Sequence, residues 1–125
     1  MKTKYAYLAL EVNDIEENVK WYTDILQCKD VTGRFGTDKA KGSACVELND
    51  GKCLVLRYSP KMGVKSHAFH GCIGCDDFLR ADNYFVKRGI KTPYQPGVGW
   101  GKQGPCGCYS IFVSDPSGNR LEVHG

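Results

Sequence analysis

The sequence has no apolar run approaching the ~20 residues that a membrane-spanning helix needs, so no membrane segment is expected. It also has no block of like charge. Its 17 Lys+Arg and 14 Asp+Glu are scattered, and the net charge is only +3. Nucleic-acid binding draws on a concentrated basic face, so nucleic acid is not an expected partner. The glycine-rich stretch from Pro96 to Gly107 lacks a following Gly-Lys-Ser/Thr and a helix start, which excludes a phosphate loop. The opening Met1-Lys2-Thr3-Lys4-Tyr5 has no apolar core ahead of a small-residue cleavage site. A cytoplasmic, reducing setting is therefore expected.

What is present is ordinary in bulk. A hydrophobic content of 42% and a charged content of 25% over 125 residues suit a folded domain with its own core. Seven cysteines are the exception. Two close pairs, Cys72/Cys75 and Cys106/Cys108, raise the question of zinc or redox chemistry. Residues three apart on a strand face opposite sides, so a redox pair is not expected there. Cys28, Cys45 and Cys53 read as small buried hydrophobes.

The strongest feature is an internal repeat. Tyr7 to Asp14 reads as a strand that ends in an acidic helix cap, and Ile15 to Leu26 then has helical periodicity. Asp14 and Glu17 have the spacing of a capping box, and Ile15, Val19, Tyr22 and Leu26 form an apolar stripe. His70 to Asp77 and Phe78 to Gly89 repeat the design, with Asp77 as cap and Gly89 as stop. A strand from Ser43 to Leu48, the turn Asn49-Asp50-Gly51 and a strand to Arg57 follow in the first copy. Cys108 to Ser114, the turn Asp115-Pro116-Ser117-Gly118 and a strand to His124 follow in the second. A further strand is expected over Lys29 to Phe35, with a counterpart near Thr92 to Gln95. Each half reads β-α-β-β-β, giving modules at 1–62 and 63–125 of one α+β domain.

This duplicated βαβββ pattern resembles the vicinal oxygen chelate superfamily, which holds glyoxalases, bleomycin-resistance proteins and extradiol dioxygenases. Leu10 to Leu26 is similar to the family's first strand and helix. Phe112-Val-Ser-Asp-Pro-Ser-Gly-Asn-Arg-Leu-Glu122 is similar to its closing turn and strand. The resemblance implies a curved mixed sheet around one cavity, with helices on the outer face. It also implies up to four metal-ligand slots, which fall at Tyr7, Val55, His70 and Glu122. The second half offers a His and a Glu as metal ligands, whereas the first offers a Tyr and a Val.

The expected function is therefore small-molecule binding of the glyoxalase/bleomycin-resistance type, with an incomplete metal site and a small anionic ligand. The alternative is a metal-dependent lyase, isomerase or thiol transferase in which His70 and Glu122 hold one divalent ion (Zn, Ni, Mn or Fe). A non-catalytic dimeric module is a third class. Strand alternation points to Tyr7, Arg57, Cys72 and His124 as ligand-facing. Arg57 is the best anion holder, because a guanidinium grips a carboxylate or phosphate through two bonds. Trp100, inside the glycine-rich stretch, reads as the aromatic of a lid. His124 is also a stand-in third ligand. By family resemblance a homodimer is expected.

Overall fold

A computed structural model describes residues 1–61, 70–75, 78–90 and 110–124. The elements run β1 (Leu8–Val12), α1 (Ile15–Asp24), β2 (Lys29–Asp30), β3 (Thr32–Phe35), β4 (Ser43–Glu47), β5 (Cys53–Tyr58), β6 (His70–Gly74), α2 (Phe78–Lys87), β7 (Ser110–Ser114) and β8 (Arg120–His124). The chain divides into two units. Unit 1 is Met1–Ser66 with Asp115–Asn119, and unit 2 is His67–Ser114 with Arg120–Gly125. The expected α+β class holds, with a mixed four-stranded sheet ordered β1-β5-β4-β2 and a mixed three-stranded sheet ordered β6-β8-β7.

The duplication extends to register. β1 runs parallel to β5 with Ala9 opposite Val55, and β4 runs antiparallel with Cys45 opposite Val55. In unit 2, β6 runs parallel to β8 with Cys72 opposite Glu122, and β7 runs antiparallel with Phe112 opposite Glu122. The turns match as well. Leu48 N–H donates to the Lys52 carbonyl and Gly51 N–H to that of Leu48, while Asp115 and Gly118 repeat this with Asn119 and Asp115. Gly51 and Gly118 sit at φ 85° and 88°, where glycine has no Cβ penalty.

In α1, Asp14 caps the helix by accepting the Glu17 N–H at 2.9 Å, as the capping-box spacing requires. The helix stops at Asp24, short of the expected Leu26. Gln27 takes a left-handed φ of 56°, and Cys28 N–H closes back onto the Tyr22 carbonyl at 3.0 Å. In α2 the glycine stop is as expected, with Gly89 at φ 71° and Ile90 N–H bonded to the Phe85 carbonyl. Asp77 and the Thr92 to Gln95 segment lie outside the described residues.

The expected strand over Lys29 to Phe35 is broken at Val31 into β2 and β3. The cause is local. Thr32 Oγ1 accepts the Cys45 N–H at 3.2 Å, and the Asp30 carboxylate accepts both the Thr32 N–H and its hydroxyl. Side chains thus replace part of the backbone ladder.

Pleating separates the two faces of the unit 1 sheet. Leu10, Val12, Ala44, Val46, Leu54 and Leu56 are buried on one face. The stripe of α1 (Ile15, Val19 and Tyr22) is buried as well, and α1 packs on β4 and β5. On the other face Cys45, Cys53 and Val55 form a separate cluster, with Tyr7 and Val31 packed against it.

Candidate functional site

The ligand slots are best judged by register. In unit 1, Val55 stands opposite Ala9 and Tyr7 lies two residues before Ala9. In unit 2, Glu122 stands opposite Cys72 and His70 lies two residues before Cys72. The pairs Tyr7/Val55 and His70/Glu122 therefore occupy the same relative register positions, Tyr7 standing one residue ahead of β1, as the sequence repeat implied. Two parallel strands about 4.8 Å apart, offset by two residues, set each pair on one diagonal.

The unit 1 slots do not fit a metal. Val55 has no donor atom, and its side chain is buried against Cys45 and Cys53. Tyr7 is half-buried, and its hydroxyl accepts a hydrogen bond from Arg57 Nη2 at 3.4 Å. A guanidinium beside the phenol places a positive charge where a metal ion would have to approach. In unit 2, Glu122 is half-buried. Among the described residues, no group of three or more His, Cys, Asp and Glu is arranged to hold a metal ion.

Around Tyr7 the face is built from residues that sequence reasoning passed over. Arg34 Nη1 donates to Glu47 Oε1 at 2.8 Å and to Cys53 Sγ at 3.3 Å. The Phe35 ring lies 4.8 Å from that of Tyr7, at an interplanar angle of 48°. Phe35 adopts φ 56°, a left-handed conformation rare for a bulky residue. A short loop enforces it. Thr37 Oγ1 accepts the Gly33 N–H at 3.0 Å and donates to the Arg34 carbonyl at 2.7 Å. The signal in sequence was the pair Gly33 and Gly36 flanking Arg34-Phe35, two hinges around a charged and an aromatic side chain.

Two buried thiols, Cys45 and Cys28, are protected. Cys45 is fully buried, and burial, then the neighbouring Cys53, pushes its thiol up to about 12. Burial alone raises Cys28 to about 11. Cys28, Cys45 and Cys53 are all free and buried, matching their reading as small hydrophobes.

The second constellation in unit 1 is a buried polar lock. The Asp115 carboxylate accepts the N–H groups of Ser117 and Asn119 on Oδ1, each at 2.9 Å. On Oδ2 it accepts the Tyr22 hydroxyl and Asn119 Nδ2, each at 2.8 Å. Asn18 Nδ2 and the Asn13 N–H both donate to Ser117 Oγ at 2.9 Å. Asn119 Nδ2 also reaches the Glu11 carbonyl at 2.9 Å. The turn read from sequence as hairpin punctuation is thus the anchor of α1 and the end of β1.

Of the other expected site residues, Cys72 and His124 take their register positions opposite Glu122 and Gly74. Arg57 is exposed, on the same face as Tyr7. Trp100, Cys106 and Cys108 lie outside the described residues. No helix among the described residues is long and apolar enough to cross a membrane.

Comparison with known proteins agrees with this architecture. Residues 4–123 match the sequence model of the Glyoxalase/Bleomycin resistance protein/Dioxygenase superfamily. A solved protein from the mobile metagenome of V. Pseudocholerae is 27% identical, with a TM-score of 0.72 over 99% of this chain and 95% of that one. Lactoylglutathione lyase from Agrobacterium tumefaciens is 18% identical, with a TM-score of 0.71 over 98% and 93%. The fosfomycin resistance protein FosX from Mesorhizobium loti is 16% identical, with a TM-score of 0.68 over 99% and 92%. No protein of curated function matches the sequence.

Proposed function

The chain belongs to the Glyoxalase/Bleomycin resistance protein/Dioxygenase superfamily, and from that premise we propose that it is a small-molecule-binding protein whose metal site is incomplete and whose ligand is a small anion. Members of the superfamily bind small molecules, commonly with a divalent metal, and are often dimers. The observation that carries the reading is the guanidinium of Arg57 bonded to the Tyr7 hydroxyl, beside a buried Val55. Where a metal-binding half would present two donors, this half presents a fixed cation and a phenol. An exposed guanidinium can take a carboxylate or phosphate through two charge-assisted bonds. The net charge of +3 favours an anion over a cation at long range.

The same reading assigns ligand contact to Cys72, Trp100 and His124 on the sequence pattern, and treats the protein as a cytoplasmic homodimer. A second reading, a metal-dependent lyase, isomerase or thiol transferase, is favoured by one observation. Positions 70 and 122 retain the slot register with a His and a Glu. Two protein ligands leave a divalent ion mostly to water, short of the three that catalytic zinc sites use.

Calorimetric titration with acetate and inorganic phosphate tests the lead reading. Saturable binding that is lost in Arg57→Gln supports it. Binding unchanged in Arg57→Gln, or no binding of these anions or of larger carboxylates, overturns it.

A further inference from the structure

Phe35 stands out because two unfavourable features coincide in it. The residue is 49% exposed, and its backbone is left-handed at φ 56°. A non-glycine residue in that region is strained and persists only when its surroundings over-determine it. Here they do, since Thr37 is nine-tenths buried and ties both ends of the Gly33 to Thr37 loop. The loop sends Arg34 to Glu47 and Cys53 and leaves the Phe35 ring on Tyr7. Packing does not account for a bulky apolar residue that stays about half exposed. Glycine would take the conformation without strain, as Gly33 and Gly36 do on either side.

Tyr7 connects this ring to the anion holder. Its ring meets Phe35 at 4.8 Å, and its hydroxyl meets Arg57 at 3.4 Å. Tyr7 thus touches an exposed aromatic residue through its ring and an exposed guanidinium through its hydroxyl. We propose that Phe35 is a specificity-determining residue that selects planar aromatic acids, the ligand's ring stacking on Phe35 and Tyr7 while its carboxylate is held by Arg57. The proposal rests on the anion-binding reading above and narrows it to a ligand class. Aromatic rings prefer offset or tilted contacts with centroids about 4.5–7 Å apart, and Tyr7 and Phe35 hold each other in that range before a ligand arrives.

The test compares benzoate with cyclohexanecarboxylate, which share a carboxylate and a six-membered ring but differ in planarity. Affinities are measured by calorimetry on the full chain, for wild type, Phe35→Gly and Arg57→Gln. Wild type is expected to favour benzoate by about three- to tenfold, the size of one aromatic contact. Phe35→Gly is expected to abolish that preference while cyclohexanecarboxylate binds as before, and Arg57→Gln is expected to weaken both. Because glycine relieves the strained backbone, Phe35→Gly is also expected to melt within a few degrees of wild type. Equal affinity for the two acids in wild type, both lost in Arg57→Gln, overturns the aromatic class and leaves the anion reading standing. No binding of either acid, acetate or phosphate overturns both. A preference for benzoate that survives in Phe35→Gly overturns the role of Phe35. So does a dimer that dissociates in Phe35→Gly with ligand affinities unchanged, since the ring then serves a second copy of the chain.

Discussion

Tyr22→Phe tests whether the Asp115 turn is a structural lock. Tyr22 is fully buried, and its hydroxyl donates to Asp115 Oδ2 at 2.8 Å. The substitution removes one oxygen and keeps the ring, so no sizeable cavity is added. The four donors to Asp115 fill the roughly four acceptor sites of a carboxylate, which suits its ionised form. Losing a hydrogen bond to a charged group costs about 1.5–3 kcal/mol. Unfolding entropy is about 2.1 cal/mol/K per residue, or about 0.26 kcal/mol/K for this chain, so Tm should fall by about 6–11 °C. The pH dependence supplies a second check. Burial, and next the neighbouring Asp115, hold the Tyr22 hydroxyl well above the ordinary tyrosine value of 10.0. The folded state therefore binds this proton more tightly than the unfolded one. The resulting stability is complete below pH 10 and is lost as pH rises beyond it. Melting both proteins by circular dichroism from pH 6 to 11 should show a constant gap that narrows above pH 10. A Tm loss under about 2 °C, or a gap that widens above pH 10, would refute the lock.

Three further outcomes are expected. Asp14→Ala should lower stability by about 1 kcal/mol in a denaturant titration, because the Glu17 N–H loses its cap. Gly51→Ala should cost on the order of 1 kcal/mol by the same assay. Its cause is the φ of 85° alone, since nothing lies within 4 Å of the added Cβ. Native-state alkylation followed by peptide mapping at pH 8 should find Cys28 and Cys45 unmodified, given thiols raised to about 11 and 12. Labelling should reach both once the protein is unfolded. Their raised values also mean that the stability they carry is present below pH 9 and lost as pH rises towards those values.

The repeat was legible because its signals are local. Asp14 with Glu17, Gly89 after α2, and the two turn glycines each carry a backbone instruction that tertiary packing had no reason to override. The slots at Val55 and Glu122 followed from the turn glycines four residues earlier, since a fixed turn sets the register of the strand after it. Those at Tyr7 and His70 followed from the acidic residues seven positions on, Asp14 and Asp77. The break at Val31 was hidden. It depends on Thr32 taking an N–H from Cys45, thirteen residues away. The Asp115 lock was half visible. Asp115, Ser117 and Asn119 read as a turn, but their partners Asn13, Asn18 and Tyr22 lie about a hundred residues away in the chain. Phe35 was the least legible, because its aromatic side chain favours a strand by propensity, and only the bonds to Thr37 hold it left-handed.

The incomplete metal site is tested most directly by elemental analysis. Protein purified without chelator, then incubated with Zn, Ni, Mn and Fe(II) and dialysed, should retain well below one ion per chain. Wild type and the double variant His70→Ala/Glu122→Gln should be indistinguishable. One tightly held ion per chain in wild type, lost in the double variant, would contradict the reading and make the metal-dependent enzyme the better one.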